Sequence, residues 1–463
     1  MNEKTDKNRL IAEEINNIQL NKTKEEIEAE NKVLELSLGP GVDTNILDAL
    51  KKKQKSKEEK VEEIKDRSLY FGVVGLGQAG SRVSETFYNF GYDACVFNTA
   101  TQDLEHINLP ENKKVFLPYA LGGAGKELNN GRQAVEQNAE LILKKLNECF
   151  SDKQEMLLLA ISGGGGTGSG GAEAIIGLMS TLGKPIGVIY ILPMESEDAL
   201  SKHNSVTTLG RLAKMASSDV ITTLIIVDNS KIELLYPGLS RAEFWDTANR
   251  AIVEPLHLFN YLSAQSTKYD SLDPMDFTHT VTEGDCQTYG MIEISNYMET
   301  TAIAEAVIEN LENGLLADGF NLKETRFGGF IVVGNSEALN KLPAVNINYA
   351  SHMISDVCNS PSLVSGVYEQ NLDEDVIRVY TIFSGLGLPV TRIESLKKQA
   401  TEQMAIIKNK TQSRAEKMVI DYGTGNETQD KAQEIHKLIQ QKKSGFGKIT
   451  ANAGKRIIDR RKR

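Results

Sequence analysis

The ten residues SGGGGTGSGG at 162–171 contain seven glycines and follow directly on the apolar run MLLLAI. That junction limits the chain more than any other feature. The apolar run reads as a buried strand and the text beyond the glycines as a helix. A flexible linker has no place between a strand and a helix, so the loop marks a point where bare backbone approaches a ligand. A second loop, GLGQAG at 75–80, follows another apolar run, YFGVVG. Successive N–H groups with no Cβ in the way can wrap the oxygens of two or three phosphates, and the hydroxyls of Thr167 and Ser169 add donors.

Around these loops short apolar runs alternate with amphipathic stretches: ACVFN, KKVFLP, IGVIYIL and ITTLIIV. The alternation predicts an α/β fold, a Rossmann-like parallel sheet with helices on both faces and the ligand at the carboxyl ends of the strands. The 463 residues divide by texture. Residues 1–66 hold no Phe, Tyr or Trp and read as a charged helical extension. A nucleotide-type domain spans 67–239, a long central helix 240–265 and a second α/β domain 266–392. A helical segment at 393–440 leads to a basic tail at 441–463, where nine Lys or Arg face the single acid Asp459.

The net charge of −11 excludes wholesale coating of nucleic acid, although the tail reverses the sign locally. No window approaches the roughly 18 apolar residues of a membrane span, and the start MNEKTDKNRL is no signal peptide, so a cytoplasmic protein without a membrane partner is expected. Cys95, Cys149, Cys286 and Cys358 show no paired spacing and the six histidines form no HExxH, so no disulfide scaffold or protein-held metal site is expected. The thiols are expected to be reduced and buried.

GLGQAG also matches the dinucleotide pattern GxGxxG, which makes an oxidoreductase the competing class. Such a site wants an acid at the end of the second strand, and the text there is VFNTATQD, with Asn98 and Thr99 in that place. No GxxxxGK[ST] loop occurs.

GGGTGSG at 164–170 together with GQAG at 77–80 resembles the signature of the tubulin/FtsZ superfamily of GTP-dependent filament proteins. Further motifs follow in that family's order over about residues 68–390. The resemblance implies that Gly77, Gln78, Ala79, Gly164, Gly165, Gly166, Thr167 and Gly168 contact GTP or GDP. FNT places Asn98 in the second-strand loop. GGAGKELNNGR places Gly123, Ala124 and Gly125 toward the γ-phosphate. LPMESE implies Glu197 on the ribose, with Glu195 as the other candidate. VDNSKI and WDTANR imply Asn229 and Asn249 as readers of guanine, an amide offering a donor and an acceptor together. Trp245, four residues before Asn249, would stack on the base; a core Trp on an amphipathic helix is the alternative. Mg²⁺ is implied with the nucleotide, although Ala100 stands where the division proteins often carry an acid.

No base stands beside the glycine loops. In the family two acids reach the nucleotide of the neighbouring subunit, and SLDPMDF supplies such a pair as Asp273 and Asp276. Ser271 replaces a usual Asn, a shifted alignment would pair Asp276 with His279, and Asp273 before Pro274 also suits a helix N-cap. The long helical text after the last strand and the basic end are most similar to the TubZ-type proteins of plasmids and phages. That implies a filament built head to tail from copies of this chain, attached through residues 441–463 to DNA or to a DNA-bound adaptor. An FtsZ-like division filament is the alternative, but no membrane-adaptor peptide is recognisable.

Overall fold

The computed structural model describes residues 65–119, 123–236, 238–314, 316–359, 361–372 and 375–417. The N-terminal extension, the basic tail and the helical segment beyond residue 417 lie outside them. The strands are β1 Phe71–Leu76, β2 Asp93–Asn98, β3 Lys114–Phe116, β4 Met156–Ser162, β5 Ile186–Leu192, β6 Thr223–Asp228, β7 Cys286–Ile294, β8 Phe327–Gly334, β9 Ser362–Glu369 and β10 Ile377–Leu386. The helices are α1 Gly77–Asn89, α2 Thr101–Glu105, α3 Leu128–Gln137, α4 Ala139–Cys149, α5 Thr167–Ser180, α6 Ala199–Ala216, α7 Asn229–Leu235, α8 Arg241–Leu262, α9 Pro274–Thr282, α10 Ala302–Asn313, α11 Ser336–Lys341, α12 Ala344–Val357 and α13 Val390–Lys417. None of them is long and apolar enough to cross a membrane.

The apolar runs become β1 to β6, which pair in parallel in the order β3-β2-β1-β4-β5-β6. Successive side chains go to opposite faces. Val73, Leu158 and Ile225 enter one core, whereas Val74, Leu159 and Ile226 enter the other. Burial on both faces explains why these runs are continuously apolar rather than alternating. Leu76 pairs with both Phe97 and Ile161, so β1, β2 and β4 end level and deliver their loops to one edge.

The second half of the chain adds four strands to the same sheet. β7 lies parallel to β6 through only two residue pairs, Leu224 with Cys286 and Ile225 with Gln287, against six pairs between β5 and β6. Beyond this narrow join β10 is antiparallel to β7 and β8, and β9 closes the edge parallel to β8. A third core, with Ile303, Phe330, Ile354 and Phe383, packs α10 and α12 on that half.

The central helix α8 has 22 residues and spans about 33 Å at 1.5 Å per residue. It starts at a capping box, Ser240 accepting from the Glu243 N–H and Glu243 accepting from the Ser240 N–H. Its buried stripe is Phe244, Ala248, Ile252, Leu256 and Phe259. At its far end Phe259 stacks on Phe277 of α9, which lies edge-on to Phe71 at the start of β1. Each of these phenylalanines is 1% exposed, and such burial stabilises by about 1.5 to 3 kcal/mol per side chain.

Candidate functional site

Four loops meet at the level ends of β1, β2 and β4. A Cβ on Gly77, whose φ is +78°, would lie 3.2 Å from the Gly168 nitrogen, so the two glycine loops touch. The Thr99 and Thr167 hydroxyls hydrogen-bond at 2.7 Å, which ties the β2 loop to the start of α5. A Cβ on Gly166 would sit 2.7 Å from the Ala124 Cβ, and one on Gly164 would sit 2.9 Å from Glu197 Oε2. Gly77, Asn98, Gly123, Ala124, Gly125, Gly164, Gly165, Gly166, Thr167, Gly168 and Glu197 therefore share one region, with Gln78 exposed and Ala79 partly buried beside it. The fit of α3 beneath the loop depends on Gly131, where a Cβ would lie 2.0 Å from the Gly166 carbonyl oxygen.

The cradle presents backbone rather than charge. Neither α1 nor α5 has a side-chain cap at its N-terminus or an acid in its first turn, which leaves their first N–H groups available to an anion. Cβ atoms at Gly123 and Gly125 would meet nothing within 4 Å, and at Gly165 only Ser162 Oγ at 3.7 Å. The basic residues of the 122–132 loop are engaged elsewhere. Lys126 Nζ donates to Asp198 and Ser201, holding the Asp198 carboxyl below its usual range, and Arg132 pairs with Glu136. One expectation needs correcting: the Ser169 hydroxyl donates to the Gly163 carbonyl and is a brace of the loop rather than a ligand donor.

At the next strand ends the chemistry changes from backbone to amides. Glu197 Oε1 accepts from the Met194 N–H, whereas Glu195 turns toward α13 and accepts from Gln399. Asn229 opens α7 and Asn249 lies on the adjoining α8, 7% and 8% exposed. Neither side-chain amide has a hydrogen-bond partner among the described residues. Neither is among the sealed-off unpartnered polar atoms, so both amide ends reach the surface of the site, and two open amides beside a phosphate cradle suit a ligand with a mixed donor and acceptor edge. Trp245 is partly buried against Phe244, with the Arg82 guanidinium 5.5 Å from its ring centre.

Asp273 and Asp276 stand elsewhere. Asp273 is the N-cap of α9, accepting from the Met275 N–H at 2.8 Å, with Pro274 in the first helical position. Asp276 is partly exposed on the first turn, and His279 pairs with Glu283, not with Asp276. Through Phe277, α9 rests on Phe71, the opposite end of β1 from Leu76, and five strand steps separate those ends by about 17 Å. The acids thus lie at the amino ends of the strands, away from the glycine loops. Among the described residues no group of three or more His, Cys, Asp or Glu could hold a metal.

No sequence pattern signals the role of Arg392. Its buried guanidinium forks onto Asp228, at 2.5 and 3.1 Å, and reaches Ser230 and the Pro193 carbonyl. One of its partners is at the end of β6 and the arginine is in the first turn of α13, so only the fold unites them. Cys95, Cys286 and Cys358 are buried as expected, but Cys149 is only half-buried.

Residues 71–236 match the family model described as Tubulin/FtsZ family, GTPase domain. The chain is 24% identical over 323 residues to the tubulin-like protein CetZ of Pyrococcus furiosus, covering 68% of this chain and 84% of that protein. A GTPγS-form protofilament of Bacillus thuringiensis TubZ superposes with a TM-score of 0.66 at 18% identity, over 78% of this chain and 97% of TubZ. The GTPγS-bound protofilament of CetZ2 from Haloferax volcanii gives 0.62 at 20% identity, over 73% and 100%. These likenesses establish a tubulin-like fold, and the segment that holds the cradle and its loops is the one that matches the Tubulin/FtsZ GTPase domain.

Proposed function

We propose that this chain binds and hydrolyses GTP and assembles head to tail into cytomotive filaments, each active site being completed by the neighbouring subunit. One observation carries the reading: the cradle and the acid pair stand at opposite ends of β1, so one chain cannot bring them together, whereas stacking two chains along that axis would. The N–H groups at residues 77–79, 123–125 and 164–168 would hold the phosphates. Glu197 would accept from a ribose hydroxyl, Asn229 and Asn249 would read guanine, and Trp245 would stack on it. Mg²⁺ would draw its ligands mainly from phosphate oxygens and water and would offset the negative charge that the uncharged cradle leaves unbalanced. Asp273 and Asp276 of the next subunit would orient and deprotonate the attacking water.

The test is GTP turnover against protein concentration, with light scattering on the same samples. A shared threshold supports completion between subunits; turnover per molecule that stays flat into dilute, non-scattering protein refutes it. The finer reading is segregation or positioning of plasmid or phage DNA, and it rests on the basic residues of 441–463, whose attraction to phosphate is strongly salt-dependent. Deleting 441–463 should leave assembly intact and abolish recruitment of DNA or its adaptor. Loss of polymer would make the tail structural instead.

A further inference from the structure

We propose that Arg392 is the positioning residue that makes Asn229 selective for guanine, an inference that rests on the GTP reading above. Residues 228–231 form the turn from β6 into α7, and three of the four are held from the C-terminal side of the fold. Asp228 caps α7 through the Ser230 N–H at 3.1 Å and receives both arms of the Arg392 fork. The Ser230 hydroxyl accepts from Arg392 at 3.2 Å and donates to the Pro193 carbonyl at 3.4 Å. Lys231 forms an ion pair with Asp318. The start of α13 is itself fixed to that segment, the Val390 N–H donating to Gly319 at 3.1 Å and the Arg392 N–H to Asp318 at 3.4 Å.

Asn229 is the exception in the run. Its side chain has no partner among the described residues although the residue is 7% exposed. Discrimination between guanine and adenine requires more than an amide at the base edge. An amide free to rotate or shift can satisfy either base, whereas one held in a fixed frame leaves the wrong base with unpaired groups. The rigid frame here is the turn, and its brace is the planar, bidentate guanidinium, a geometry that a lysine ammonium cannot reproduce. Arg392 does not touch the nucleotide. It acts through Asp228 and Ser230, which flank Asn229 on both sides.

The test is the affinity of the full-length chain for GTP and for ATP, measured by calorimetry below the assembly threshold. Arg392→Lys should lower the GTP-over-ATP preference by about tenfold through weaker GTP binding, with ATP affinity changed by less than roughly twofold, because the phosphate cradle is untouched. Equal weakening of both nucleotides, or an unchanged preference, would overturn the inference, since a purely structural brace predicts no change in the ratio. If Arg392→Lys fails to give a cooperative melt, Asp318→Asn, at the half-exposed partner of the mostly buried Lys231, decides: a preference reduced about threefold supports the inference and an unchanged one refutes it. A wild-type chain with no preference for GTP would instead sink the GTP reading itself.

Discussion

The two ends of β1 are built on opposite principles. At its carboxyl end the side chains are small or tied into the loops, as in the Thr99 to Thr167 hydrogen bond and the one from Ser169 to the Gly163 carbonyl, and what lines the cradle is backbone. At its amino end three phenylalanines form a platform on which α9 displays Asp273, Asp276 and Met275, the last 54% exposed. The first end offers a backbone cradle and the second offers exposed carboxylates. On the proposed reading, binding and hydrolysis are separable within one chain, and assembly would join them.

The sharpest way to break this contrast is to remove the acids. Asp276→Ala should cut turnover in assembled protein by about 10²- to 10⁴-fold while GTP affinity stays within experimental scatter; a parallel fall in affinity would place the acid in the cradle's own function. Asp273 needs a different substitution because it also caps α9. Asp273→Asn keeps a capping oxygen and removes the charge, so the melting temperature should hold while turnover falls.

The cradle end should answer in the opposite sense. Trp245→Ala should weaken GTP binding by about 1 to 3 kcal/mol, seen as a higher Kd with kcat at saturation nearly unchanged. An unaltered Kd would return Trp245 to the core-packing role. Gly131→Ala drives a methyl onto the Gly166 oxygen and should destabilise the fold by about 1 to 3 kcal/mol, read as a lower melting midpoint without nucleotide. The smallest effect belongs to neither end. A hydrogen bond from Cys95, assisted by Lys113 and Lys145, pulls the Cys149 thiol down to about 7. The thiolate fraction therefore grows as pH rises through 7, and the alkylation rate of Cys149 should climb there rather than near 9, with turnover unaffected in Cys149→Ser.

The contrast also explains what the sequence disclosed. Each segment of the cradle was legible because its own residues are consecutive: a glycine run at the end of an apolar run can be read without knowing what lies across from it. Asp273 and Asp276 were legible as a pair only through the family resemblance of SLDPMDF. Contacts between distant segments were not. Asp228 and Arg392 form one ion pair, yet nothing in VDNSKI or PVTRIES points to the other. Likewise, the role of Gly131 depends on the position of Gly166, and local periodicity cannot show that β7 joins β6.

That join has a mechanical consequence. Ten strands fastened uniformly would resist bending as a single plate, but here the plate is held along one line by two residue pairs, with fuller ladders on either side. The cheapest distortion available to the sheet is a rotation about that line, since it disturbs the fewest backbone hydrogen bonds. Nucleotide chemistry at one margin and neighbour contact at the other would then share a single soft degree of freedom, as two leaves share a spine.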